Sequence, residues 1–483
     1  MLESFAHSPV TQAGENAMIV PAVPPKSPNY VALVSPPMTG RGSGNVRWFL
    51  IGWLFVLSAV AFLDRVNISI AGSSLAAAYH LSNVQLGWVF SAFLAGYAIF
   101  QTPAGRLADR LGPRRVLAGG VVWWGIFTAL TAAVPPAIRG AALVFISIRF
   151  LFGAGEAVVY PASNQFVARW IPPSERGLAN GLIFAGVGAG AGLSPPLITY
   201  IMLHYGWRAS FWLCAVIGLI VGGVWYVIAR DTPAEHSHVS ASEREYILAN
   251  VSSEVSEKPG HKLIPWLTVL KSREVLAISV SYFTFGYAAW IFFSWFYIYL
   301  AQVRGLNLKA SAFYAMLPFL AMAACCPLGG TVSDWLTRHY GPRIGRCYLA
   351  SVVIALAAVF LALGAEVQSA RLASIVLAGG AGALYLSQSS FWSVTADISG
   401  SSPGSVSGLM NMGGQIGGAV TASLTPEIAN HFGWEVSFLV SAALCLLGAV
   451  MWIFVDPSRT IETHAAHGTA GVVDHPIASA KKS

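Results

Sequence analysis

The sequence predicts an all-α polytopic membrane protein, with twelve transmembrane helices in two six-helix bundles. Three observations point there. First, the chain is 55% hydrophobic and only 10% charged, whereas soluble domains carry about 25% charged residues. Second, its apolar residues fall in blocks of bilayer-spanning length, about 20 residues. Trp48 to Leu63, Val116 to Pro135, Ala209 to Ile228 and Phe438 to Val455 are examples. A β-barrel would instead alternate over segments of about ten residues. Third, the chain repeats itself at an offset of 227: His204-Tyr205-Gly206-Trp207 matches His431-Phe432-Gly433-Trp434, Gly153-Ala154-Gly155 matches Gly380-Ala381-Gly382, and Gly181, Gly186 and Gly190 match Gly408, Gly413 and Gly417. Three patches in register across two halves indicate duplication.

In chain order, a polar N-terminal tail (1–46) is expected to be disordered and cytoplasmic. It has no charged region ahead of a short apolar stretch, so the first span is expected to act as its own insertion signal. Spans are expected near 48–71, 84–104, 115–135, 141–162, 177–201, 208–228, 275–300, 310–332, 347–365, 371–395, 404–428 and 434–454. They divide into an N-terminal bundle (47–230), a cytoplasmic linker (231–271), a C-terminal bundle (272–456) and a cytoplasmic tail (457–483). Within the linker, Ser240 to Val251 reads as a short helix capped by Ser242 or Ser240. With the termini inside, 21 of the 28 lysines and arginines face the cytoplasm, and Arg139, Arg208, Arg304, Lys309 and Arg371 face out. That asymmetry fits the positive-inside rule, so the net charge of +7 reports topology rather than a nucleic-acid partner. The expected location is a plasma membrane, the inner membrane of a bacterium. The five cysteines, Cys214, Cys325, Cys326, Cys347 and Cys445, lie in or beside apolar spans with no metal-ligand spacing and read as core packing.

Span 1 ends in Phe62-Leu63-Asp64-Arg65-Val66-Asn67, and span 4 carries Arg149 and Glu156. Charge at membrane depth costs roughly 2.5–3.5 kcal/mol per residue on insertion scales, so these four are expected to line a cavity or a packed interior. On a helix, Arg149, Gly153, Glu156, Tyr160 and Asn164 form one stripe. Arg149 and Glu156 are roughly 10 Å apart in rise, too far for a close pair, so each needs a partner from another helix or a ligand. Carboxylates held away from water exchange protons near neutral pH, which makes Asp64 and Glu156 the proton-coupling candidates. Arginine stays charged and offers a planar fork to a carboxylate. Arg65 is the first candidate for a substrate anion, and Arg149 either joins it or tunes Glu156. A static ion-pair network holding helices together is the competing structural reading.

Span 2 places Tyr97 and Gln101 on one face. The loop after it reads Gly105-Arg106-Leu107-Ala108-Asp109-Arg110-Leu111-Gly112-Pro113-Arg114-Arg115, and the second half echoes it between Gly330 and Gly341, with Asp334 against Asp109. Its glycines allow close approach and tight turning. Asp109 is suited to a basic residue or a helix N-terminus across the inward face. Gly105, Asp109, Arg110 and Gly112 are the gating candidates. This loop resembles the signature loop of the major facilitator superfamily. The span 1 and span 4 motifs resemble the anion:cation symporter family within it, which includes sugar-acid, tartrate, phthalate and sialic-acid transporters.

The resemblance implies two bundles rocking around a midplane site, an organic anion as cargo, and Arg65 as its anchor. It also implies a cavity position for Tyr97 and a polar substrate contact at Asn411 in span 11, with Gln415 on the same face. Some sugar-acid transporters have a glutamine in span 5 where this chain has Val187, which weighs against a polyol. Span 7 (Trp290 to Tyr299) is aromatic and uncharged; lipid-facing packing is expected for most of those rings, and a cavity lining that favours an aromatic or compact acid for some. Glycines and Pro195-Pro196 make span 5 a close-packing, bending helix. Gly400-Ser401-Ser402-Pro403-Gly404 fits a hydrolase elbow pattern without the strand it needs and reads as a loop. His236 and His238 read as solvated, and Glu427 with His431 as a surface pair.

The expectation is therefore a secondary active transporter, not an enzyme. It imports an organic anion by proton symport, working as a monomer with the lipid bilayer around it and without cofactor, metal or nucleic acid. A proton-driven exporter of the same fold is the first alternative, and a transporter-like sensor the second.

Overall fold

A computed structural model of the chain describes residues 45–251, 264–296, 299–306 and 308–461. The expected tails at 1–44 and 462–483 and the linker stretch 252–263 lie outside the described residues. Among those described there is no strand. The twelve spans are Val46–Tyr79, Asn83–Leu111, Pro113–Ala133, Ala141–Glu156 continued by Val159–Trp170, Arg176–Tyr205, Trp207–Ile228, Arg273–Ser294, Leu308–Tyr340, Leu349–Glu366, Ala370–Leu386 continued by Gln388–Ile398, Pro403–Phe432 and Trp434–Met451. Ten segments are long and apolar enough to cross a membrane. The other two are spans 2 and 11. They are less apolar because they carry Gln101, Arg106, Asp109, Asn411 and Gln415 on helices that pack against each other.

The duplication has a physical counterpart in spans 4 and 10, which both break part-way. Span 4 breaks at Ala157 and Val158, where the ring of Pro161 conflicts with the carbonyl four residues back. Span 10 breaks at Ser387 without a proline. There the Ser387 hydroxyl donates to the Leu384 carbonyl at 2.6 Å, which competes with the helical backbone bond.

The halves meet along spans 2 and 11 and along spans 5 and 8. At the end bearing the linker, these contacts form two related clasps. Asp109 accepts from the Gly404 and Ser405 amides, both at 2.8 Å, and from the Ser405 hydroxyl. Asp334 accepts from the Gly177 and Leu178 amides at 2.9 and 2.7 Å. Each carboxylate thus caps the N-terminus of a span in the other half, where unpaired amides and the helix dipole favour negative charge. Gly105 faces Gly404 and Gly330 faces Gly177 so closely that a side chain at any of the four would strike backbone. The second clasp adds Arg346, which pairs with Asp334 at 2.8 Å, and Arg176, which pairs with Asp397.

The linker is docked. Ser240 caps the helix Ala241–Asn250 through the Glu243 amide. Glu243 is buried and accepts from the Val46 and Arg47 amides at 3.3 and 3.2 Å, capping span 1. Arg47 reaches from there to Glu175 at 3.2 Å, in the turn before span 5. Asp231 accepts the Arg114 amide at 2.9 Å and sits against Gly112, whose φ of 86° favours glycine. Burial pushes the Asp231 carboxyl up, against the lowering effect of that amide.

Span 7 corrects one expectation. Phe292, Phe296 and Tyr299 are buried, and Trp290, Phe293 and Trp295 are half-buried. Phe293 packs on Phe319 of span 8, and Tyr299 on Trp434 and Phe438 of span 12. They fill the bundle because span 7 lies between spans 11 and 12. Tyr297 lies outside the described residues.

Candidate functional site

The four charges of the N-terminal half lie within one small region of its interior. Asp64, Arg149 and Glu156 are each 3% exposed or less, and the Arg65 side chain is 9% exposed. Arg65 Nε donates to Glu156 Oε1 at 2.8 Å, so the close pair bridges spans 1 and 4 rather than forming within span 4. The Arg65 guanidinium also lies 4.4 Å from the Tyr97 ring centre and 4.6 Å from that of Phe62. These ring faces favour a cation. The pair is incomplete: one terminal Arg65 nitrogen, Glu156 Oε2 and the Tyr97 hydroxyl are buried without hydrogen-bond partners. Buried polar groups are ordinarily satisfied, so this is a place prepared for another molecule.

Arg149 has no carboxylate partner among the described residues. It stacks over Phe152 and Phe93 at 4.5 and 5.0 Å, and Arg65 lies 5.3 Å from the centre of the same Phe93 ring. Phe93 therefore separates the two arginines. Asp64 departs from its neighbour in direction. It lies beside Cys214 of span 6 and Trp124 of span 3, with neither carboxylate oxygen in hydrogen-bonding geometry. The Trp124 indole N–H is also unpartnered. Asp64 thus belongs to the interior of the N-terminal bundle, and Arg65 to the wall carrying Glu156 and Tyr97, as the 100° offset of adjacent helical residues requires.

Other expected contacts are engaged with each other. Asn411 Nδ2 donates to Gln101 Oε1 at 2.9 Å, joining spans 11 and 2. Gln101 Nε2 and Gln415 Oε1 are left without partners. In the signature loop, Arg110 is exposed. The arginine that reaches across is Arg106, which donates to the Ile264 carbonyl at 2.7 Å and stacks on Trp266. Helical phase explains the difference, since Arg106 and Arg110 are four residues apart near the end of span 2, where a small change of angle decides which meets the linker. Glu427 and His431 form an exposed pair at 3.0 Å.

Several polar residues escaped sequence reasoning. Tyr160 meets Ser58 at 3.0 Å and stacks on Phe184. Tyr282, Gln388 and Trp392 form a cluster in the C-terminal half. The available signal was the polar run Ser387-Gln388-Ser389-Ser390 inside an apolar span.

The model of the Major Facilitator Superfamily matches residues 54–422 and 404–481. The chain belongs to the major facilitator superfamily. It is 30% identical over 435 residues to the "Probable sulfoacetate transporter SauU" of Cupriavidus necator, covering 90% of this chain and 99% of that protein. It is also 30% identical over 417 residues to the "Hexuronate transporter" of Bacillus subtilis, covering 84% and 94%. The fold is shared with the superfamily's proton:xylose symporter XylE, bound to 6-bromo-6-deoxy-D-glucose, at a TM-score of 0.66 and 17% identity over 87% of this chain and 98% of that one. This superfamily member is a multi-pass membrane transporter rather than an enzyme, with the twelve-span architecture that the sequence predicts.

Proposed function

We propose that this chain imports an organic anion, a carboxylate, by proton symport with alternating access. The observation that carries the reading is the Arg65–Glu156 pair, buried beside Tyr97 with an unused donor and an unused acceptor. Arg65 has the fork that a carboxylate needs, and a substrate anion arriving there competes with Glu156 for it. Protonation of Glu156 releases the guanidinium to the substrate and removes a charge from the loaded site. Asp64, set apart beside Trp124 and Cys214, takes the second proton without touching the substrate. Arg149 offsets the charge of both carboxylates. The two relatives are named as transporters of sulfoacetate and hexuronate, which supports an acid as cargo. The clasps at Asp109 and Asp334 hold the linker end closed and release as the halves rock. The protein is read as a monomer in a bacterial inner membrane with both termini cytoplasmic.

The test is uptake by purified protein in proteoliposomes under an imposed proton gradient, over a panel of labelled sugar acids, dicarboxylates and aromatic acids. Acid-driven uptake by the wild type is expected, with loss in Arg65→Lys and in Glu156→Gln. Full proton-driven uptake by both variants would overturn the mechanism. Loss of growth on the acid after gene deletion marks import, and hypersensitivity to it marks export.

A further inference from the structure

The C-terminal half has no counterpart to the four buried charges. At the positions matching Asp64, Arg65, Arg149 and Glu156 it has Ile291, Phe292, Val376 and Ala383. It does have a buried neutral cluster with unused hydrogen-bonding capacity. Gln388 Nε2 donates to the Tyr282 hydroxyl at 2.9 Å, and Trp392 Nε1 donates to the same oxygen at 3.3 Å. All three residues are at most 5% exposed. Two donors occupy the two lone pairs of that oxygen, so the Tyr282 hydrogen points away from both. Gln388 Oε1 has no partner. The cluster thus offers one donor and one acceptor side by side.

Its place in the fold is the junction of the halves. The Trp392 ring lies 5.8 Å from Tyr160 and 5.0 Å from Phe184, both in the N-terminal half. Tyr160 is close enough to Arg65 to feel its charge. Tyr282 packs against Gly414 of span 11, one turn from the Asn411–Gln101 bond between the halves. A chain of contacts therefore runs from Arg65 through Tyr160 and Trp392 to Tyr282 and Gln388.

We infer that Tyr282 and Gln388 are the specificity-determining residues of the C-terminal half, binding a hydroxyl group of an organic monoanion whose carboxylate is held at Arg65. The inference rests on the reading of Arg65 as an anion site. A hydroxyl is both donor and acceptor: it takes the Tyr282 hydrogen and gives its own to Gln388 Oε1. A second carboxylate accepts only, so it would leave Gln388 Oε1 opposed by negative charge, and the cluster has no cation to receive it. A methylene would leave both buried groups unpaired, the situation that rejects deoxy analogues most strongly. Val187 is buried and gives span 5 no amide; span 10 supplies one instead. The substrate class is a hydroxylated monocarboxylate of the aldonate type, in preference to its deoxy form or to a diacid.

The test uses the full chain in detergent and measures affinity for gluconate, for hexanoate as its unhydroxylated match, and for glucarate as its diacid. The wild type is expected to bind gluconate roughly 100-fold or more tightly than hexanoate, within the range that unpaired buried polar groups impose, and more tightly than glucarate. Gln388→Leu and the conservative Tyr282→Phe are each expected to compress the gluconate-to-hexanoate ratio at least tenfold while hexanoate affinity changes less than gluconate affinity. Equal weakening of both acids would mark a structural role and overturn the inference, as would an unchanged ratio or tighter binding of hexanoate or glucarate by the wild type. If the wild type binds none of the three acids, the anion-site reading falls with it. If the acids bind without hydroxyl preference and Arg65→Lys weakens them all, the anion site stands and only this inference falls.

Discussion

The two halves share a scaffold and divide the chemistry. Their gating ends match closely: Asp109 caps span 11 and Asp334 caps span 5, each against a glycine pair with no room for a side chain. Their interiors differ. The N-terminal half holds Asp64, Arg65, Arg149 and Glu156, and the C-terminal half answers with Tyr282, Gln388 and Trp392. Charge in low dielectric is costly unless paired, whereas neutral polar groups are cheaper to bury and discriminate by geometry. Concentrating charge on one side lets a single half respond to protons while the other selects among anions.

The strongest way to break this comparison is to remove the charged pair singly and together. Arg65→Leu or Glu156→Leu alone leaves an uncompensated buried charge, expected to cost about 3–5 kcal/mol and to lower the melting temperature in detergent. The double variant is expected to recover most of that stability and none of the uptake. Thermal unfolding and proteoliposome uptake read the two effects separately. Next, Phe292→Arg places the charge of Arg65 at the matching position of the neutral half. With no carboxylate opposite, it is expected to destabilise by roughly 2.5–3.5 kcal/mol, visible as reduced yield and melting temperature. A tolerated Phe292→Arg would show that the halves are less specialised than their side chains indicate.

Smaller effects sharpen the shared part. Asp109→Asn loses charge-assisted bonds to the amides of Gly404 and Ser405, each worth about 1.5–3 kcal/mol. It is expected to raise the labelling rate of a cysteine introduced at the linker end, and so should Asp334→Asn. Unequal responses would show that the clasps are not equivalent. The smallest contrast lies within the signature loop. Arg106→Ala, which removes the bond to Ile264, is expected to slow uptake severalfold, and Arg110→Ala is expected to leave it within about twofold, because exposed charges contribute roughly 0–1 kcal/mol.

What the sequence made legible followed from strong, periodic or costly signals. Span-length apolar blocks and the 227-residue repeat carried the architecture, and four buried charges marked the N-terminal interior. The partners were not legible. That Glu156 meets Arg65 rather than a ligand or another helix depends on how spans 1 and 4 are set side by side, which no one-dimensional spacing encodes. Asn411 and Gln101 read as substrate contacts but bond to each other, because spans 2 and 11 come into direct contact. The aromatics of span 7 look lipid-facing by composition and are instead interior, since a helix apolar on all sides does not announce which neighbours cover it. Gln388 was overlooked because a single neutral amide carries little weight against a charge until its unpaired oxygen is seen.

Ile264 joins the two halves through one peptide unit on each side of its Cα. Its amide donates to the Ser402 hydroxyl at 3.0 Å, at the start of span 11, while its carbonyl accepts from Arg106 at 2.7 Å, at the end of span 2. Separation of those spans must stretch or break at least one of these bonds. The linker therefore works as a strain gauge across the moving seam. A transport cycle that opens this end would disrupt a backbone contact at every turnover, and amide hydrogen exchange at Ile264 should rise with the rate of transport while the amides deep in span 1 stay protected.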